Sequence, residues 1–140
     1  MKFNPIMKKI IYTILVIFSV VSCAQKTKIS PNSIAFSQKL VKQKGTQLVL
    51  KKVTNDSRCP EGVQCIWAGE CEIIVSVYQN NKFINEEKIL LSQKLYKENI
   101  AWFSKFYPNK KITEINVLPY PKNEVVTNPK DYFVKLECEK

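Results

Sequence analysis

Along residues 71–78 the side chains alternate: Cys71, Ile73, Val75 and Val77 fall on one face, and Glu72, Ser76 and Tyr78 on the other. A two-residue period is that of a strand with one buried face, and a helix cannot present it to a core. Residues 47–54, 83–91, 111–118 and 132–138 are also rich in Val, Ile, Leu, Phe and Tyr and read as strands. In the last of them Tyr132, Val134, Leu136 and Cys138 point one way. Asn80-Asn81 tolerates positive φ and predicts a tight hairpin between the runs 71–78 and 83–91, while Pro119-Tyr120-Pro121 closes the run 111–118. Helical signals are few. Residues 94–107, with Leu95, Trp102, Phe103 and Phe106, fit either a short helix or an irregular plug over one end. With about 105 residues to fold, the pattern predicts an all-β domain, a small antiparallel immunoglobulin-like β-sandwich; a small β-barrel is the alternative. No internal repeat points to a solenoid or propeller.

The first residues are of another kind. Lys2, Lys8 and Lys9 precede an uncharged apolar run from Ile10 to Val21, which ends in Val20-Val21-Ser22-Cys23. About twelve apolar residues make a helix of roughly 18 Å, too short for a hydrocarbon core near 30 Å. This is the layout of a secretory signal, and Met7-Lys8-Lys9 would serve equally well as its start. Branched residues two and three positions before a cysteine, with a small residue next to it, resemble the lipobox of bacterial lipoproteins. The resemblance implies a signal peptide over 1–22 and a lipid on the Cys23 thiol. An ordinary signal peptide cut near Ala24 is the other reading. Residues 23–33 are polar and read as a lipidated flexible tether, with the domain over 34–140. Ala24-Gln25-Lys26 lacks the acidic character of several retention and surface-export signals, so the expected location is the cell envelope, at the outer membrane facing the periplasm.

Cysteine count fits that compartment. With Cys23 given to lipid, the remaining Cys59, Cys65, Cys71 and Cys138 form an even set, and an oxidising space favours two disulfides. Three pairings are possible. Cys59 lies in a loop near Cys65, and Cys71 and Cys138 both sit on inward faces, so the predicted pairs are Cys59 with Cys65 and Cys71 with Cys138.

The densest cluster of distinctive residues is Asp56-Ser57-Arg58-Cys59-Pro60, continuing through Cys65-Ile66-Trp67-Ala68-Gly69. It resembles a motif found in a family of uncharacterised secreted or lipid-anchored bacterial proteins. There too a strand ending in a valine is followed by Asp-Ser-Arg-Cys-Pro, a short loop, and Cys, an apolar residue, Trp, a small residue and Gly. The resemblance covers the motif and the next strand, and extends to Ile115-Asn116-Val117-Leu118-Pro119-Tyr120-Pro121 and Tyr132-Phe133-Val134. It implies a fold and a compartment, and no chemistry.

Two readings of the motif follow from its residues. In the structural one, the Cys59–Cys65 staple closes a loop shaped by Pro60 and Gly62, Arg58 pairs with Asp56 or bonds loop carbonyls, and Trp67 enters the core. In the functional one, Asp56, Arg58 and Trp67 form a binding surface for a peptide or glycan; the exposure of Trp67 separates the two. Trp102 and Lys105, within an aromatic and lysine-rich stretch, form a second candidate surface, the alternative being that they pack one end of the core.

The chain has no histidine, which excludes histidine-assisted nucleophiles and imidazole metal sites, and nothing in it calls for a cofactor or an enzyme activity. A four-thiolate site at Cys59, Cys65, Cys71 and Cys138 would make it a periplasmic metal-handling or redox protein instead. The formal charge of +10 falls to about +7 once three signal lysines are removed, and the remaining lysines are scattered among glutamates. Nucleic acid is therefore not expected as a partner. The expected partners are the membrane, through the Cys23 lipid, and an envelope protein, glycan or peptide bound without catalysis.

Overall fold

The computed structural model describes residues 32–139. The expected signal peptide, Cys23 and most of the tether lie outside the described residues. Among the described residues six strands form two antiparallel three-stranded sheets. One sheet has the order β1-β6-β5, from Ser33–Phe36, Phe133–Cys138 and Ile112–Leu118. The other has the order β2-β3-β4, from Thr46–Asp56, Cys71–Gln79 and Lys82–Leu91. The sheets enclose one core, in which Leu50, Ile73, Val75, Phe103, Val134 and Leu136 are fully buried. This is the small all-β sandwich that the alternation predicts. Strand β1 begins at Ser33, paired with Glu137, one residue ahead of the expected domain start.

The period-two pattern sets each strand's register. Cys71, Ile73, Val75 and Val77 are all buried, as predicted. The β3–β4 hairpin turns through Asn80 at φ 51° and Asn81 at φ 67°, the two positive values that a type I′ turn requires. Strand β2 breaks its own alternation. Against β3 its register shifts between Leu50 and Lys52, and again between Val53 and Asn55. Each bulge reverses the face of the residues beyond it. Lys51, Lys52, Thr54 and Asn55 therefore all stay in solvent, and Asp56, opposite Cys71, is turned inward at the strand's end.

Residues 94–107 resolve as a short helix, α1, over Tyr96–Ser104. Asn99 and Phe103, four apart, form its buried face, and Pro108 follows soon after its end. Phe103 packs on Phe36 at 6.0 Å between ring centroids. The helix covers one flank, where it ties the edges of both sheets: Asn99 Nδ2 donates to Leu90 O of β4 at 2.9 Å, and Tyr96 Oη donates to Thr113 O of β5. On the other flank Leu50 N donates to Ser37 O at 3.0 Å, joining β2 to the end of β1. Each flank is thus bridged between sheets, which leaves less free strand edge for unwanted pairing.

The described cysteines correct one expectation. Cys59 and Cys65 are bonded, with Cα atoms 5.9 Å apart, whereas Cys71 and Cys138 are free thiols, both buried. They face the same core from opposite ends. Cys71 shares a cleft with Arg58 and Val117, and Val117 is in register with Val134. Cys138 lies four residues further along β6, roughly 13 Å at about 3.3 Å per residue. A disulfide needs Cα atoms about 4.4–6.8 Å apart. In the unreduced protein, mass spectrometry should therefore count two alkylatable thiols beyond Cys23 after denaturation and almost none before it; a loss of four hydrogens in place of two would refute this pairing.

Phe103 should be the core's most sensitive position, because it is wholly buried and contacts both sheet and helix residues. Phe103→Ala is expected to cost about 3–5 kcal/mol in urea unfolding.

Candidate functional site

The inward turn of Asp56 starts the site. Two residues on, the Arg58 side chain returns to it, Nε donating to Oδ1 and Nη2 to Oδ2, both at 2.7 Å. The fork-to-fork geometry is that of the strong bidentate ion pair, and both side chains are about nine-tenths buried. Arg58 Nη1 also donates to Val117 O of β5 at 2.6 Å, and the guanidinium sits over the Tyr120 ring at 4.6 Å. Tyr132 Oη donates to Asp56 Oδ2 at 3.2 Å. One ion pair thus ties the end of β2 to the end of β5 and to the segment entering β6.

The surroundings set the charge state of each group. Burial alone would raise the Asp56 carboxyl, but the hydrogen bonds and charge of Arg58 outweigh it and hold Asp56 below its usual 3.8. Burial would likewise lower Arg58, and Asp56 instead raises it. Burial pushes the Cys71 thiol up to about 12, against some opposition from the Arg58 charge, so Cys71 is protonated and unreactive.

Residues 57–70 leave and return as a closed loop. Ser57 N donates to Glu70 O at 2.9 Å and Cys59 N to Ala68 O at 3.0 Å, so the two legs pair before the disulfide closes the tip. Gly69 is indispensable there. Its φ is +74°, and a Cβ would lie 2.0 Å from Ser57 O. The tip docks on the chain beyond β5, where Glu61 N donates to Pro121 O at 2.9 Å.

The outcome for the motif is split. Asp56 and Arg58 behave as the structural reading expects, as a buried clasp. Trp67 does not enter the core: it is 77 % exposed, beside Ile66 at 94 %. The legs on either side are committed to pairing across the loop, so the Trp67 side chain is left at the rim, without a hydrogen bond or ring contact among the described residues. Two adjoining clefts, of about 190 and 490 Å³, share Ala68, Gly69, Ser92 and Gln93. Trp67, Glu70 and Lys94 flank the larger, and Tyr96, Asn116 and Tyr120 the smaller.

Of the second candidate surface, Trp102 is part of the packing, edge-on to Phe103 at 4.9 Å and to Phe106 at 4.8 Å. Lys105 is exposed one turn beyond, and neither lines the clefts. The four cysteines are not gathered either, since Cys59 and Cys65 are oxidised in the loop and Cys71 and Cys138 are apart in the core. Among the described residues no three His, Cys, Asp or Glu side chains are placed to hold a metal ion. The cleft residues Ser92, Gln93, Lys94, Tyr96 and Asn116 carry no sequence signal as site residues, because they come from two separate segments brought against the loop by α1 and the clasp. Comparisons with known protein families, with curated proteins and with solved structures return no match.

The clasp gives a stability prediction. An aspartate whose ionisation is lowered by folding contributes stability that is complete above its ordinary value of 3.8 and is lost as pH falls through the folded value. Arg58→Ala, which strands a buried carboxylate, should cost about 3–5 kcal/mol at pH 7. Asp56→Asn should also destabilise, and its deficit against the wild type should shrink as pH falls from about 5 to about 2. A deficit independent of pH would show that the Asp56 charge is not what matters.

Proposed function

We propose that this chain is a lipid-anchored component of the bacterial cell envelope whose domain binds a partner, without catalysis, at the end of the sandwich that carries the residue 57–70 loop. The observation behind this reading is Trp67, 77 % exposed on a loop fixed by a disulfide, beside two clefts. An aromatic held outside its own core has no packing role, and its rigid support lowers the entropy cost of association.

The direction of the chain favours the same site. Cys138 N donates to Asn32 O at 2.9 Å, so the segment coming from Cys23 joins the domain at the Cys138 end of β6. The loop is anchored at Val117 and Tyr132, at the opposite ends of β5 and β6. A lipid on Cys23 would attach the domain at the end of the sandwich away from the clefts. A metal-handling role would need the four thiolates together, and they are dispersed.

Two arms test the proposal. Palmitate labelling in cells should be abolished by Cys23→Ala, and persistent labelling would remove the anchor. A photo-cross-linking residue in place of Gln93 should give a discrete envelope adduct that disappears when Trp67→Ala is added. An adduct indifferent to Trp67 would refute the binding site.

A further inference from the structure

We propose that the ligand of the paired clefts beside Trp67 is a neutral oligosaccharide; this deepens the proposed function and rests on the clefts being a binding site. The reasoning is one of charge, backbone and surface chemistry. Arg58 is the cation in the cleft wall, but its charge is matched by Asp56, and its Nε, Nη1 and Nη2 are all engaged within the fold. Glu70 and Lys94 contribute one charge of each sign to the larger cleft. The two charges cancel in sum, so the clefts carry no net charge to select a phosphate, an acidic polymer or a basic segment.

Bordering backbone is also occupied. An extended peptide binds a sheet by adding a strand to a free edge, which requires open carbonyl and amide groups. Val117 O accepts from Arg58, Thr113 O from Tyr96 and Leu90 O from Asn99. Three carbonyls on the two strand edges that meet at the clefts are therefore taken by the protein's own side chains, which disfavours strand addition where the ligand would lie.

The surface that remains suits a sugar. Both clefts are lined by Ala68 and Gly69, which offer a flat ring a methyl group and backbone. Trp67 offers an exposed aromatic face, on which the C–H face of a pyranose can stack. Ser92, Gln93 and Asn116 bring a hydroxyl and two amides, which both donate and accept and so match vicinal hydroxyls. Together the clefts lie within the roughly 300–1,000 Å³ of small-ligand sites, room for more than one sugar ring.

The test is calorimetric titration of the full lipidated chain, in a detergent without a sugar headgroup, with neutral tetrasaccharides of N-acetylglucosamine, β-1,4-glucose, α-1,4-glucose and mannose. At least one should bind saturably, with affinity falling about tenfold in Trp67→Ala, mostly kept in Trp67→Phe and unchanged in Lys105→Ala. Trp67→Ala should keep the wild-type unfolding midpoint, which separates lost binding from lost fold. Failure of every tetrasaccharide to bind, or binding that ignores Trp67, overturns the proposal. If a Trp67-dependent adduct still forms through position 93 while no sugar binds, the glycan assignment falls and the binding site stands; if the adduct is also missing, both fall.

Discussion

The bidentate pair between Arg58 and Asp56 holds the two sheets in register at one end of the molecule. Hydrophobic burial between sheets is non-directional and would tolerate some sliding. A guanidinium that must satisfy Asp56, the Val117 carbonyl and the Tyr120 face at once has one position. Its burial makes the arrangement demanding, because losing either partner leaves a charge or a polar group without water. The two bulges in β2 are part of the same device: they reverse the strand's facing twice and so aim Asp56 inward while keeping Lys51 and Lys52 in solvent.

What the clasp secures is a loop. The pairing of Ser57 with Glu70, the close approach of Gly69 to Ser57 and the Cys59–Cys65 bond leave the tip few ways to move. Helix α1 completes the site from the other side, for Tyr96 and Asn99 cap the strand edges and line the cleft as well. Stability and the shape of the candidate site depend on the same few side chains.

The strands were legible because one-sided burial leaves a period of two, and the hairpin was legible because Asn80 and Asn81 accept positive φ. Distance along the core and the direction of a loop side chain are not carried by periodicity. Alternation shows that Cys71 and Cys138 face the core, yet says nothing of their height along it, and they lie at opposite ends. Trp67 follows two positions after a cysteine at the start of a strand-like stretch, and its size argues for burial; the loop pairing that leaves it outside is a tertiary fact. Helix α1 was ambiguous for a related reason, since Trp102, Phe103 and Phe106 suit a helix face or a plug equally until Phe36 is known to lie opposite.

The sequence by itself determined the period of the strands, the turn at Asn80-Asn81 and the short-range staple between Cys59 and Cys65. All of these involve residues near one another in the chain, whose geometry is limited by backbone sterics and side-chain reach. Only the tertiary structure decided that β2 bulges twice, that Cys71 and Cys138 are too far apart to bond, and that Trp67 stands at the rim of clefts shared by the loop, α1 and β5. Those outcomes depend on how two sheets are set against each other, a long-range arrangement that fixes distances no local pattern records.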